Sequence, residues 1–137
     1  MEVTGYSGGL PIVRQKPGKG NALGQVKFIF PNHYNIYFHD TPSRTLFSKQ
    51  DRAFSHGCIR LQQPFDLAAY LLAGQPEWTN EKIKAAMNSS KEKWVTLATP
   101  VPVFITYFTS WVDRQGLLHF TNDIYGHDKK MAEHLFE

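Results

Sequence analysis

The sequence predicts a mainly β domain with two short helices inserted after its one cysteine. Three observations carry that expectation: period-two alternation between Val26 and His39, β-rich runs between Trp94 and Phe120, and helical signals confined to residues 64–87. Residues 1–25 are rich in Gly, Pro and Lys and read as loop, with 1–14 as a loop or tail. Val26, Phe28 and Phe30 then alternate with Lys27 and Ile29, and Pro31-Asn32 marks a turn. Tyr34, Ile36 and Phe38 alternate with Asn35, Tyr37 and His39, so the two runs predict an antiparallel hairpin. His39 falls at the strand's end, on the face opposite Phe38.

Asp40-Thr41-Pro42-Ser43 opens a loop that runs to about Gln63. Pro64 suits a first helical position, Leu67, Leu71 and Leu72 supply an apolar face, and Gly74 with Pro76 ends that helix. Thr79 is placed to cap a second helix carrying Ile83 and Met87. Trp94–Leu97 and Val103–Phe108 read as strands, and Asp113-Arg114-Gln115-Gly116 as a turn into a strand at Leu117–Phe120. Five strands are few for a closed β domain, and the loop-like first 25 residues are expected to stand in place of strands that a longer parent chain supplies. The 137 residues fit one domain, at roughly 100–200 residues each.

Composition narrows the function classes. Apolar residues make up 42% and charged residues 20%, an ordinary globular balance that argues against a disordered chain. A formal charge of +3 is too mild to imply nucleic-acid binding. Apolar runs fall far short of the roughly 20 residues that a membrane-spanning helix needs. The N-terminus shows no signal-peptide pattern. One cysteine excludes an internal disulfide framework and a multi-cysteine metal site.

That cysteine, Cys58, sits in Ser55-His56-Gly57-Cys58-Ile59-Arg60. A free thiol is mostly protonated at neutral pH, with a pKa of about 8.5, and becomes a nucleophile beside a base or positive charge. His56 lies two positions away and His39 ends the preceding strand. Arg44, Lys49, Arg52 and Arg60 face one acid, Asp51, between residues 43 and 60. This setting suits a thiolate, and equally a carboxylate-bearing substrate. Gly57 admits a close approach, the N–H groups of Gly57 and Cys58 are candidates for an oxyanion site, and Ser55 is placed to brace the loop. Zinc held by Cys58 and two histidines lacks a fourth ligand at usual spacing. His33, His119, His127 and His134 have no motif around them, and the aromatic run at 104–111 reads as core.

His39-Asp40-Thr41, a gap of fifteen residues, and then Ser55-His56-Gly57-Cys58-Ile59-Arg60 resemble the L,D-transpeptidase catalytic domain, the YkuD-type family. Pro17-Gly18, Asn21–Gly24, Lys27-Phe28, Tyr37–Pro42, Leu46-Phe47 and Thr121–Tyr125 are similar to the larger Gram-negative branch of that family. In that branch serine often replaces the histidine at position 56. The resemblance implies an L,D-transpeptidase-like β-sandwich acting on peptidoglycan stem peptides, with no cofactor or metal. It implies residence in the periplasm or cell envelope, a role in cell-wall biogenesis and cell shape, and acylation of the cysteine by carbapenems. By the same likeness Cys58 forms a thioester as the terminal D-alanine leaves, and a second stem amine takes the acyl group to give a 3→3 cross-link. Water as acceptor gives carboxypeptidase activity, and a lipoprotein amine is a third acceptor. His39 matches the general base, the Asp40 carbonyl its orienting group, and Tyr37 a tyrosine at the oxyanion region. His56 joins the catalytic set, and Arg60 fixes the loop or a substrate carboxylate. Beside this stand a cysteine hydrolase acting on amides and a non-catalytic, truncated domain that binds cell-wall peptide.

Overall fold

The computed structural model describes every residue except Lys19, His56 and Glu137. The chain divides into two compact units, Met1–Val101 and Pro102–Glu137. Its described elements are short strands in three separate sheets together with three α-helices, a mixed rather than mainly β architecture. Among the described residues the strand pairings make two two-stranded sheets and one three-stranded sheet, without the layered sandwich that the resemblance implies.

The first unit begins with a correction. Residues 1–14 form a hairpin, not a loop: β1 (Glu2–Ser7) pairs antiparallel with β2 (Leu10–Arg14), Ser7 opposite Leu10. Gly8 and Gly9 both have positive φ, +57° and +79°, the backbone that a two-residue hairpin turn of matching twist requires. The Gly-Gly pair that suggested loop is therefore the turn itself. Apolar alternation gave no warning because β2 is exposed along its whole length. An ion pair holds the open end, Arg14 Nη2 lying 2.6 Å from Glu2 Oε1.

The expected hairpin at 26–39 is present but mostly turn. Only β3 (Lys27–Phe28) and β4 (Phe38–His39) pair as strands, antiparallel, with Lys27 opposite His39. Asn32 replaces the rest of the ladder. Its Oδ1 accepts from the N–H groups of Tyr34 and Ile36, and its Nδ2 donates to the carbonyls of Phe30 and Ile36. Asn35 takes a left-handed conformation at φ +54°, which asparagine tolerates better than most side chains. After β4 the chain passes through a 3₁₀ turn (Arg44–Ser48) and returns as β5 (Ile59–Arg60), parallel to β4. β4 is thus the central strand of the three.

The helix signals hold. α1 (Pro64–Leu72) starts on Pro64, and α2 (Asn80–Met87) is capped by Thr79 Oγ1, which accepts from the Lys82 N–H. The buried stripe of α1 is Pro64, Ala68 and Leu72, at four-residue spacing, while Leu67 and Leu71 are only half-buried. Ala68, Leu72 and Ile83 form the core, with Phe28, Phe65, Trp78, Met87 and Leu97 packed on it.

The runs at 94–97 and 103–108 are not strands. Residues 96–98 are tied instead by the Gln75 amide, which donates to the Thr96 carbonyl and accepts from the Ala98 N–H. Strand propensity needs a partner ladder, and Phe104 stays 87% exposed rather than lying in a core. In the second unit β6 (Ser110–Val112) and β7 (Leu118–Phe120) pair antiparallel across the expected turn. Asp113 Oδ1 closes it by accepting from the N–H groups of Gln115 and Leu117. A helix that sequence reading missed, α3 (His127–Leu135), follows. Asp123 satisfies its first free N–H groups, accepting from His127, Asp128 and Lys129.

Candidate active site

The parallel β4–β5 register builds the site. Phe38 stands opposite Ile59 and His39 opposite Arg60, so one step earlier Cys58 comes alongside Tyr37. The Ile59 N–H donates to the Tyr37 carbonyl at 3.0 Å and the Leu61 N–H to the His39 carbonyl at 2.9 Å, which locks that register. Side chains alternate along strands, so Tyr37 and His39 share one face with Cys58 and Arg60, while Phe38 points away. Ring contacts agree. Tyr37 and His39 meet edge to face at 5.9 Å, and Phe38 packs instead on Phe30. Lys27, opposite His39 on β3, lays its Nζ 5.3 Å from the centre of the Tyr37 ring.

His39 is only 4% exposed, and its Nδ1 lies 2.5 Å from the Asp40 carbonyl oxygen. A carbonyl can only accept, so Nδ1 carries the proton, and in the neutral ring Nε2 keeps a free lone pair. Asp40 is held in turn. Its Oδ1 accepts from the Thr41 N–H and from Arg44 Nη2, both at 2.7 Å, and its Oδ2 accepts from the Gln25 N–H at 2.9 Å. Gly24 makes this possible: at φ +65°, any β-carbon there would come within 2.4 Å of the Asp40 carboxyl. The buried His39-Asp40-Thr41 segment is therefore fixed from three directions.

Cys58 is half-buried and unpaired, neither sealed in the core nor fully exposed. Its Sγ lies 3.9 Å from the Asn35 carbonyl oxygen, to which the thiol donates. Interaction with the Cys58 side chain, together with burial, pushes the Tyr37 phenol above its usual range. Among the described residues no hydrogen bond joins the sulfur to His39; Tyr37 contacts both. Ser55 braces the loop as expected, donating from Oγ to the Cys58 carbonyl at 2.8 Å. Gly57, at φ +140°, directs its N–H to Ser55 Oγ at 3.4 Å. In this conformation that N–H is turned to the loop rather than to an oxyanion. His56 lies outside the described residues.

Of the four cations expected around the thiol, Arg44 is committed to Asp40 and to the Gln62 carbonyl. Arg52 and Arg60 instead line a cavity of about 250 Å³ that reaches Cys58, with Phe47 and Phe54 among its apolar walls. Sequence reading gave Asn35, Asn32, Gly24 and Lys27 no role at the site, although Pro31-Asn32 read as a turn and Gly24 and Lys27 fall in runs shared with the Gram-negative branch. The left-handed tolerance of asparagine and the Pro31-Asn32 turn were the available signals for the first two.

The YkuD family profile, described as an L,D-transpeptidase catalytic domain, matches residues 3–105. A Haemophilus influenzae protein named "Putative L,D-transpeptidase" is 37% identical over 119 residues, which cover 87% of this chain and 24% of that protein. The chain thus spans about a quarter of the length of the curated relative it matches. With the match extending over most of its residues, the chain belongs to the YkuD family of L,D-transpeptidase catalytic domains.

Proposed function

We propose that the chain is a peptidoglycan L,D-transpeptidase working through a cysteinyl thioester. The observation that carries this reading is the shared face of β4 and β5: a half-buried thiol beside a tyrosine hydroxyl, and an imidazole whose Nδ1 is already spoken for. Nε2 of His39 is the free basic position. It takes the thiol proton, and Cys58 Sγ attacks the carbonyl of the third stem residue. The C–N bond to the terminal D-residue breaks, and the imidazolium gives its proton to the departing amine. The side-chain amine of a second stem then attacks the thioester, forming the 3→3 amide and restoring the thiol.

Asp40 orients His39 through its carbonyl, as a third group does in triads. Tyr37, with its hydroxyl at the sulfur, lines the oxyanion region together with the Cys58 N–H, and Gly57 joins once its N–H leaves Ser55. Arg60 receives a substrate carboxylate, and His56 assists. The thiol and imidazole draw together as substrate enters, since such pairs are commonly loose in free enzymes. The family's β-sandwich, one catalytic domain over residues 1–137, a place in the periplasm or cell envelope and susceptibility to carbapenems belong to the same proposal.

Product analysis tests it. A stem tetrapeptide incubated with an acceptor stem is expected to lose its terminal D-residue and yield a 3→3 dimer. A tripeptide without dimer would instead establish an L,D-carboxypeptidase. No consumption by a folded chain would favour a domain that only binds cell-wall peptide.

A further inference from the structure

The cavity beside Cys58 holds, besides Arg60, a second arginine that the acyl-transfer chemistry above leaves unused. Its walls come from residues 46–60, whereas Tyr37 and His39 come from β4, so the sulfur joins two neighbourhoods. One supplies hydroxyl and imidazole. The other brings two arginines, Arg52 and Arg60, to a lining that also includes Phe47 and Phe54. Among the described residues no ion pair joins Arg52 or Arg60 to a carboxylate, although Arg14 and Arg44 both have one. Arg52 is braced through Nε, which donates to the Lys49 carbonyl at 2.8 Å, and among the described residues no hydrogen bond engages its terminal nitrogens. At about 250 Å³ the space is below the roughly 300–1,000 Å³ of pockets that enclose a whole drug-sized ligand. It suits one end of a chain.

We propose that Arg52 and Arg60 form a carboxylate subsite beside Cys58 that receives the terminal carboxylate of the acyl donor's departing residue. This inference rests on the thiol transpeptidase reading and extends it to Arg52 and to the charge of the leaving group. Two planar guanidinium forks meet a carboxylate in directed, charge-assisted hydrogen bonds.

Charge-selective alkylation of Cys58 tests the subsite without any turnover. The rate with anionic iodoacetate is divided by the rate with neutral iodoacetamide, using N-acetylcysteinamide as the free-thiol reference. The protein is expected to exceed the reference in that ratio. Arg52→Gln should lower the ratio about tenfold, the scale of one hydrogen bond to a charged group. Arg52→Lys should retain part of it, and Arg60→Gln should lower it as well. A ratio equal to the free thiol's, or unchanged in Arg52→Gln, overturns the subsite.

The same proteins then receive a stem tetrapeptide and its C-terminal carboxamide. The parent chain should favour the carboxylate, and Arg52→Gln should lose that preference through KM. Charge-selective alkylation with neither peptide consumed would reject the transpeptidase reading while upholding the subsite. Consumption of both peptides alike, with no charge selectivity, would reject the subsite and keep the reading.

Discussion

Among the described residues two histidines, His39 and His119, have a ring nitrogen fixed by an oxygen, in very different surroundings. His39 is buried at the end of the central strand, with Nδ1 on the Asp40 carbonyl and Tyr37 linking it to Cys58. His119, in the second unit, puts Nε2 2.7 Å from Asp113 Oδ2 and stacks on Trp111, with 41% of its side chain exposed. On the proposed function, orientation alone does not make an imidazole the catalytic base. What separates the two is the neighbouring Cys58 thiol, and a neutral rather than anionic partner on the fixed nitrogen.

The sharpest way to break that contrast is kinetic. His39→Ala should slow acylation of Cys58 by about 10²–10⁴, the usual contribution of a general base, followed as adduct mass against time. His56→Ala should cost less, and His119→Ala nothing. A loss at His119 equal to that at His39 would erase the distinction.

The next effect is structural. Removing the Asp40 side chain strands the N–H groups of Gln25 and Thr41 and frees Arg44. A buried unpaired donor costs about 1–3 kcal/mol, and the Thr41 N–H is buried while that of Gln25 is only partly so, so Asp40→Ala should destabilise the chain by about 2 kcal/mol in a denaturant titration, with Arg44 discounted because it is half exposed. Gly24→Ala should act on the same group from the other side. Its new methyl meets the Asp40 carboxyl in a backbone conformation that alanine resists, a loss of about 1–3 kcal/mol.

The smallest effect belongs to the other histidine. The hydrogen bond from His119, aided by the backbone N–H of Leu117, holds the Asp113 carboxyl below its ordinary range. A carboxyl depressed in the folded state adds stability above its unfolded pKa and loses it as pH falls through the folded value. The stability of the second unit should therefore decline only in acid, below the ordinary carboxylate range. Carboxyl chemical shifts should show Asp113 moving back toward its ordinary titration in His119→Ala.

These contrasts also explain what could be read in advance. Pro64 and Thr79 declare their helices because caps and first-turn residues act locally. The His39…Cys58 spacing was legible through the family likeness, and the structure supplies its physical reason: a parallel pair needs a long connection, and the loop between them provides it. Tyr37 and His39 on one face follow from alternation alone. The partners of Asp40 did not, because Gln25 and Arg44 reach it from separate turns that no period describes. Val103–Phe108 shows the opposite error. Its residues favour strands, but a strand exists only where another chain segment offers its N–H and C=O groups, and propensity carries no information about that. The hairpin at 2–14 hid because its strands pair with each other and bury almost nothing.

Intact-protein mass spectrometry after exposure to a carbapenem tests the central claim most directly, namely that Cys58 is the acyl-accepting nucleophile. The chain should gain the mass of one opened carbapenem, and Cys58→Ala should gain none. An adduct of the same mass on Cys58→Ala would contradict the assignment.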